Sequence, residues 1–114
     1  MEFSDIREFE SDTSGGKLKF RMMDLENGAL VLITDSPAFK LGLSAVAIPP
    51  GQGRNEPTSS GLFTMGLGST LVRTIAEKVA AYLNKTCMIV VHVAQMDRAV
   101  MVDIISALKS NLVE

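Results

Sequence analysis

Few residue clusters in this 114-residue chain have the types and spacing that chemistry would need. Gly66-x-Gly68-Ser69-Thr70 precedes a helical pattern, and free N–H groups at a helix start attract anions. The stretch lacks the Lys of a phosphate-binding loop and the third Gly of a dinucleotide fingerprint. A strand-to-helix turn with Ser69 as N-cap accounts for it equally well. His92 is the single histidine. It lies in an apolar run, with no cysteine or second histidine spaced for a metal site, and reads as a strand residue satisfied by hydrogen bonding or pointing into an interface. Asp35 and Asp97 stand at turns, where carboxylates cap backbone groups, so they give little support to paired acid–base catalysis. Asn84-Lys85-Thr86 matches a glycosylation sequon, but without a secretory signal it reads as a helix end. Met65 and Met96 sit beside loops, where a flexible thioether suits an adaptable contact. No cofactor, metal site or catalytic set emerges, and the chain reads as a non-enzyme.

The elements that must position these residues are legible from periodicity. Leu71, Val72, Ile75, Ala76, Val79, Ala80 and Leu83 recur at helical spacing, while Arg73, Glu77, Lys78 and Lys85 take the opposite side. The helix should end near Asn84. The run 87–93 shows no alternation and so reads as a strand covered on both faces. Residues 17–23 alternate, with Leu18, Phe20 and Met22 on one side and Lys17, Lys19 and Arg21 on the other. Glu26-Asn27-Gly28 is a hairpin signal, with Asn-Gly suited to positive φ. Strands are expected at 29–34 and 41–48 and a short one at 62–65. Residues 3–10 read as an edge strand or a loose arm, and residues 12–16 as a turn. The Pro/Gly-rich segment 49–57 and Ser59-Ser60-Gly61 read as mobile loop. Asp97 is placed to cap a last helix over 98–112.

The whole chain bounds the class. It is long enough for one domain, and 46% apolar residues support a packed core. A net charge of −2 argues against a nucleic-acid or anionic-membrane partner. The lone Cys87 permits no internal disulfide and fits a reducing compartment. Residues 1–5 are acidic without an apolar core, which reads as no signal peptide. The apolar runs are too short to span a bilayer. The expected location is the cytoplasm, with the nucleus as a second compartment.

These elements predict an α+β fold: a mostly antiparallel sheet with two helices on one face. Strands 29–33, 43–48 and 87–93 look apolar on both faces, so the helix-free face would be a large apolar patch on a monomer. A second subunit packed sheet against sheet, about 10 Å away, is the simplest cover.

The series Leu18-Lys19-Phe20-Arg21-Met22-Met23-Asp24-Leu25, then 29–33, then Leu43-Ser44-Ala45-Val46-Ala47-Ile48, resembles the strands of the proteasome assembly chaperone 4 family. The Gly/Ser/Thr-rich approach to a helix, Ala80-Ala81-Tyr82-Leu83-Asn84-Lys85, the apolar strand and the terminal amphipathic helix extend the likeness over residues 5–112. The small chaperones 3 and 4 resemble each other too closely for the sequence to separate them. The resemblance implies a non-enzymatic chaperone that binds alpha-type subunits of the 20S proteasome while the alpha ring is built. It also implies a two-subunit complex, either a homodimer or a heterodimer with a paralogous chaperone. The 49–57 loop and the 12–16 turn depart from the family. A roadblock-like or longin-like scaffold subunit of a trafficking or signalling complex is the rival reading. The expected partner contacts are loop 49–61, with Arg54 and Glu56, and turn 94–97, with Met96 and Asp97, followed by Arg98. The loop is long and flexible, with backbone groups free to bond a partner, whereas the turn joins the central strand to the last helix and is positioned by a rigid scaffold; their charges can set orientation and encounter rate.

Overall fold

The alternation of 17–23 is realised as the second strand of a six-stranded sheet carrying two helices. The computed structural model describes residues 6–13, 16–51, 55, 57–62 and 66–112. The strands are β1 (Ile6–Thr13), β2 (Gly16–Leu25), β3 (Gly28–Thr34), β4 (Leu43–Ile48), β5 (Thr58–Gly61) and β6 (Thr86–His92). The helices are α1 (Gly66–Leu83), between β5 and β6, and α2 (Arg98–Leu112), after β6. The sheet order is β1-β2-β3-β6-β4-β5. Every pairing is antiparallel except β3 with β6. The expected α+β class is therefore observed.

One sheet face and both helices form the core. In register across five strands, Phe9, Phe20, Ile33, Val91 and Leu43 make one row of that face. Met22, Val31, Ile89 and Ala45 make the next. Val72, Ile75, Ala76, Val79 and Ala80 of α1, with Ile104, Ala107 and Leu108 of α2, are buried against these rows. The apolar spacing in both helices thus faces the sheet, as the periodicity required.

Helix boundaries follow local chemistry. Asn84 has φ 54°, the left-handed conformation that asparagine tolerates, and the Lys85 N–H donates to the Ala80 carbonyl at 3.3 Å. At the other end of β6, the Asp97 Oδ1 accepts from the Val100 N–H at 2.9 Å and caps α2. The start of α1 differs from expectation. The helix begins at Gly66, so Ser69 lies inside its first turn rather than at the N-cap.

Three further expectations are corrected. The β2–β3 hairpin forms, but neither Asn27 nor Gly28 has positive φ; Glu26 and Asn27 make the turn and Gly28 already belongs to β3. The strand expected at 41–48 begins at Leu43, leaving Leu41 78% exposed. Ser59-Ser60-Gly61 is not loop but most of β5, paired antiparallel to β4. Its polar composition hid it, because its strand geometry comes from the partner strand. Its side chains add anchors. The Ser59 hydroxyl donates to Glu77 Oε2, while Arg73 donates from Nε to Ser59 Oγ at 3.1 Å and from Nη2 to the Ser59 carbonyl at 3.2 Å. Of the strand expected at 62–65, Leu62 continues the β4 contact through its N–H to the Ser44 carbonyl, and 63–65 lie outside the described residues.

Cys87 lies on the core face and is fully buried. Burial pushes its thiol up from 9.0 to about 11, against a smaller opposing pull from the Lys85 ammonium. The thiolate is the reactive form, so Cys87 is expected to resist alkylation in the native state near neutral pH and to react on unfolding. A pulse of iodoacetamide across a urea titration checks this, with labelling following the unfolding curve. An unfolded thiol ionises from about 9 while the folded one stays protonated, so this contribution is intact below that value and declines toward about 11.

Candidate interaction surface

The side chains of the second sheet face decide what that face can contact. Its central row runs Ile6, Met23, Leu30, Met88, Val46 and Ser60, one residue from each strand. All but the last are apolar, and none of the six is fully buried. Neither helix covers this face. The expectation of strands apolar on both faces therefore holds for β3, β4 and β6, with one difference: Val90, in the adjacent row, is already 1% exposed.

That adjacent row is Glu8, Arg21, Leu32, Val90 and Ser44, and the following one Glu10, Lys19, Thr34 and His92. The acids of β1 stand opposite the bases of β2. Arg21 donates from Nε to Glu8 Oε2 at 2.6 Å, and its Nη2 lies 2.6 Å from the same oxygen. Both partners are substantially exposed, so the pair adds little stability but fixes where the charges sit.

The β3–β4 connection, 35–42, crosses the end of β6 as a strap. Gly42 makes the crossing possible, because a Cβ there would stand 2.4 Å from the Val91 carbonyl oxygen. The strap turns over this second face. Phe39 packs with Arg21 4.4 Å and Lys19 Nζ 5.6 Å from its ring centre, and Lys19 Nζ also donates to the Pro37 carbonyl at 3.0 Å. Ser36 N–H donates to Thr34 Oγ1 at 3.1 Å, and Ser44 Oγ donates to the Gly42 carbonyl at 2.9 Å. The strap covers Thr34, which is fully buried, while Glu10 at the β1 end of the same row stays exposed. Beside the strap lies a groove of about 660 Å³, lined by residues of β1 and β2 with Pro37, Ala38 and Phe39.

The contact residues expected from sequence fall into two groups. Arg54 and Glu56 lie outside the described residues, as does Met65. Met96, Asp97 and Arg98 are described and lie together at the start of α2. Met96 is half-buried and packed on the core, close to Gly68, where an added Cβ would lie 3.7 Å from its Cβ. Asp97 is the α2 cap, and Arg98 is exposed. Asp35 joins this turn to the strap, its Oδ2 accepting from the Ala94 N–H at 2.8 Å. Both carboxylates thus bond backbone groups, as their turn positions implied. Gly68 serves close packing against Met96 and Leu43. His92 Nδ1 is buried with no hydrogen-bond partner among the described residues. Among those residues no cluster of His, Cys, Asp or Glu could hold a metal ion, and no helix is long and apolar enough to cross a membrane.

Two residues of this surface were not singled out from sequence. Leu25 extends the outward-facing set of β2 beyond Met23 and is 43% exposed. The alternation signalled it, since a wet strand face that ends in Met and Leu is not wholly wet. Phe39 gave a weaker sign, as the one aromatic ring in a connection of small and polar residues.

No family model and no curated protein sequence matches the chain. Among solved structures, it is similar to a chain in the crystal structure of a chaperone complex for yeast 20S proteasome assembly. The TM-score is 0.64 at 12% identity, over 95% of this chain and 93% of that one. The chain shares the fold of a component of that assembly-chaperone complex, over nearly the full length of both.

Proposed function

We propose that this protein is a non-catalytic chaperone of 20S proteasome assembly, binding alpha-type subunits and working as a two-subunit unit. The observation that carries this reading is the near full-length fold likeness to a component of the yeast chaperone complex. The apolar central row on the helix-free face supports the two-subunit part, since a patch of that kind marks a protein–protein contact. The second subunit is a further copy or a paralogous chaperone, and the site of action is the cytoplasm and also the nucleus.

Alpha-subunit contact is assigned to two segments, turn 94–97 with Arg98 and loop 49–61 with Arg54 and Glu56; the chain enters them from opposite ends of the antiparallel β4–β6 pair. Support for the turn comes from its rigid mounting: Asp35, Asp97 and the packed Met96 hold it, while Ala94, Gln95 and Arg98 remain exposed. The test is affinity capture with the tagged chain, followed by mass spectrometry. Alpha-type proteasome subunits are the expected catch, and Arg98→Ala combined with replacement of 51–56 by a Gly/Ser linker should weaken it without changing the urea midpoint. Small GTPases or vesicle-complex subunits in place of alpha-type subunits would overturn the proposal.

A further inference from the structure

The six-stranded sheet ends at β1, and we infer that the outer edge of this strand docks an extended, basic segment of a partner protein, which adds to the sheet as one more strand. The edge belongs to neither face of the sheet, and the inference is independent of the chaperone reading above.

The backbone makes the template. In an antiparallel pair, alternate residues bond to the neighbouring strand and those between them turn N–H and C=O outward. Among the described residues β1 pairs with β2 alone, in an unbroken register over Ile6–Thr13. Edge strands are commonly blunted by proline, by a bulge or by shortness, and β1 has none of these. The opposite edge differs. β5 has four residues, and the Arg73 guanidinium already bonds its Ser59 carbonyl.

What guards β1 is charge of one sign, and that charge selects the partner. Glu8, Glu10 and Asp12 share one side of the strand. Two copies paired edge to edge would set acid opposite acid in any antiparallel register that keeps their sheet faces aligned, and like charges directly opposite destabilise a sheet. A segment carrying Lys or Arg turns the same groups into attraction. Glu8 is already taken by Arg21, whereas the ion pairs of the described residues leave Glu10 and Asp12 free.

A groove of about 270 Å³ runs along this edge between β1 and α2. Glu10, Ser11 and Asp12 line one wall and Asp103, Ser106 and Ser110 the other, with no lysine or arginine among the described residues that line it. The groove thus offers hydroxyls and carboxylates to an incoming strand. On the helix side of β1, Phe9 is half-buried at the end of the core row that runs through Phe20. An apolar residue opposite Phe9 would lengthen that row. The segment that fits therefore alternates, with basic residues opposite Glu10 and Asp12 and an apolar residue opposite Phe9.

The experiment uses the full chain and, as probe, a synthetic peptide of alternating lysine and valine, with binding followed by calorimetry. Binding is expected at low salt and should weaken as salt is raised. A glutamate–valine peptide should not bind. Nor should the lysine–valine peptide N-methylated at every residue, which lacks the N–H groups a new ladder needs. Glu10→Lys combined with Asp12→Lys, both at exposed positions, should weaken binding about tenfold or more. Asp103→Asn on α2 is the second variant if that pair fails to fold, with a loss of about threefold expected. Hydrogen exchange gives the location, because alternate amides of β1 should become protected on binding while Thr58–Gly61 is unchanged. No binding at about 1 mM peptide overturns the inference. So does equal binding of the glutamate or N-methylated peptide, unchanged binding by the folded variants, or protection that falls outside β1.

Discussion

Phe20→Ala is expected to lower the unfolding free energy by about 3–5 kcal/mol, the range for removing a buried aromatic side chain. Phe20 is fully buried and stacks on Phe9, with ring centres 4.8 Å apart and planes inclined by 11°. It stands in the row that continues through Ile33, Val91 and Leu43, so truncation opens a void between edge and centre of the sheet. Phe39→Ala supplies the contrast. That ring is half-buried on the other face, where its contacts are to Arg21 and Lys19. Cation–π contacts at exposed sites are worth about 0.5–1 kcal/mol each, so the loss should be about 1–2 kcal/mol. Urea unfolding of both variants, with unchanged slopes, checks the ranking. Equal losses would mean that Phe20 is not the core-facing ring.

The contrast between these two phenylalanines shows what the sequence could reveal. Phe20 stands in an alternating run with Leu18 and Met22, and the period of two assigns all three to one face before any tertiary contact is known. Phe39 has no such neighbours. Its position follows from sheet order, because β3 and β4 lie on either side of β6 and the chain between them has to cross β6. Sheet order depends on which strands meet over long sequence separations, and local periodicity carries no record of that. The same reason hid β5, whose Thr58-Ser59-Ser60 becomes a strand by pairing with Ile48, Ala47 and Val46. Asp97 was legible because a cap is a local event, completed within three residues.

The candidate surface was legible in the same uneven way. A second apolar face could be deduced by counting, since two helices cover one side and three strands offered apolar residues to both. Its limits could not. They are set by the strap over Thr34, by the early burial of Val90 and by Leu25 at the hairpin end. The turn 94–97 was placed correctly between β6 and α2. Its Met96, however, packs inward on the core, because Gly68 leaves room for it at the start of α1.

Ile75→Ala should cost about 2–5 kcal/mol, against about 0.5–1 kcal/mol for Arg73→Ala two residues earlier on the same helix. Ile75 is fully buried in the core formed by α1, α2 and the sheet. Its truncation removes apolar contacts and leaves a cavity that neighbouring backbone elements restrict from closing. Arg73 is exposed, and its two hydrogen bonds go to the edge strand through the Ser59 hydroxyl and carbonyl. Solvent competes for those bonds, and Glu77 still holds the Ser59 hydroxyl when the guanidinium is gone. Losing them should therefore loosen β5 without unfolding the sheet. Urea midpoints measured at constant slope give the ranking, and hydrogen exchange gives the location. Arg73→Ala is expected to speed exchange in Thr58–Gly61 and leave β3 and β6 protected, whereas Ile75→Ala should speed exchange throughout the core by lowering global stability. Similar midpoints for the two variants would place Ile75 off the buried face of α1, and with it the packing of that helix on β4 and β6.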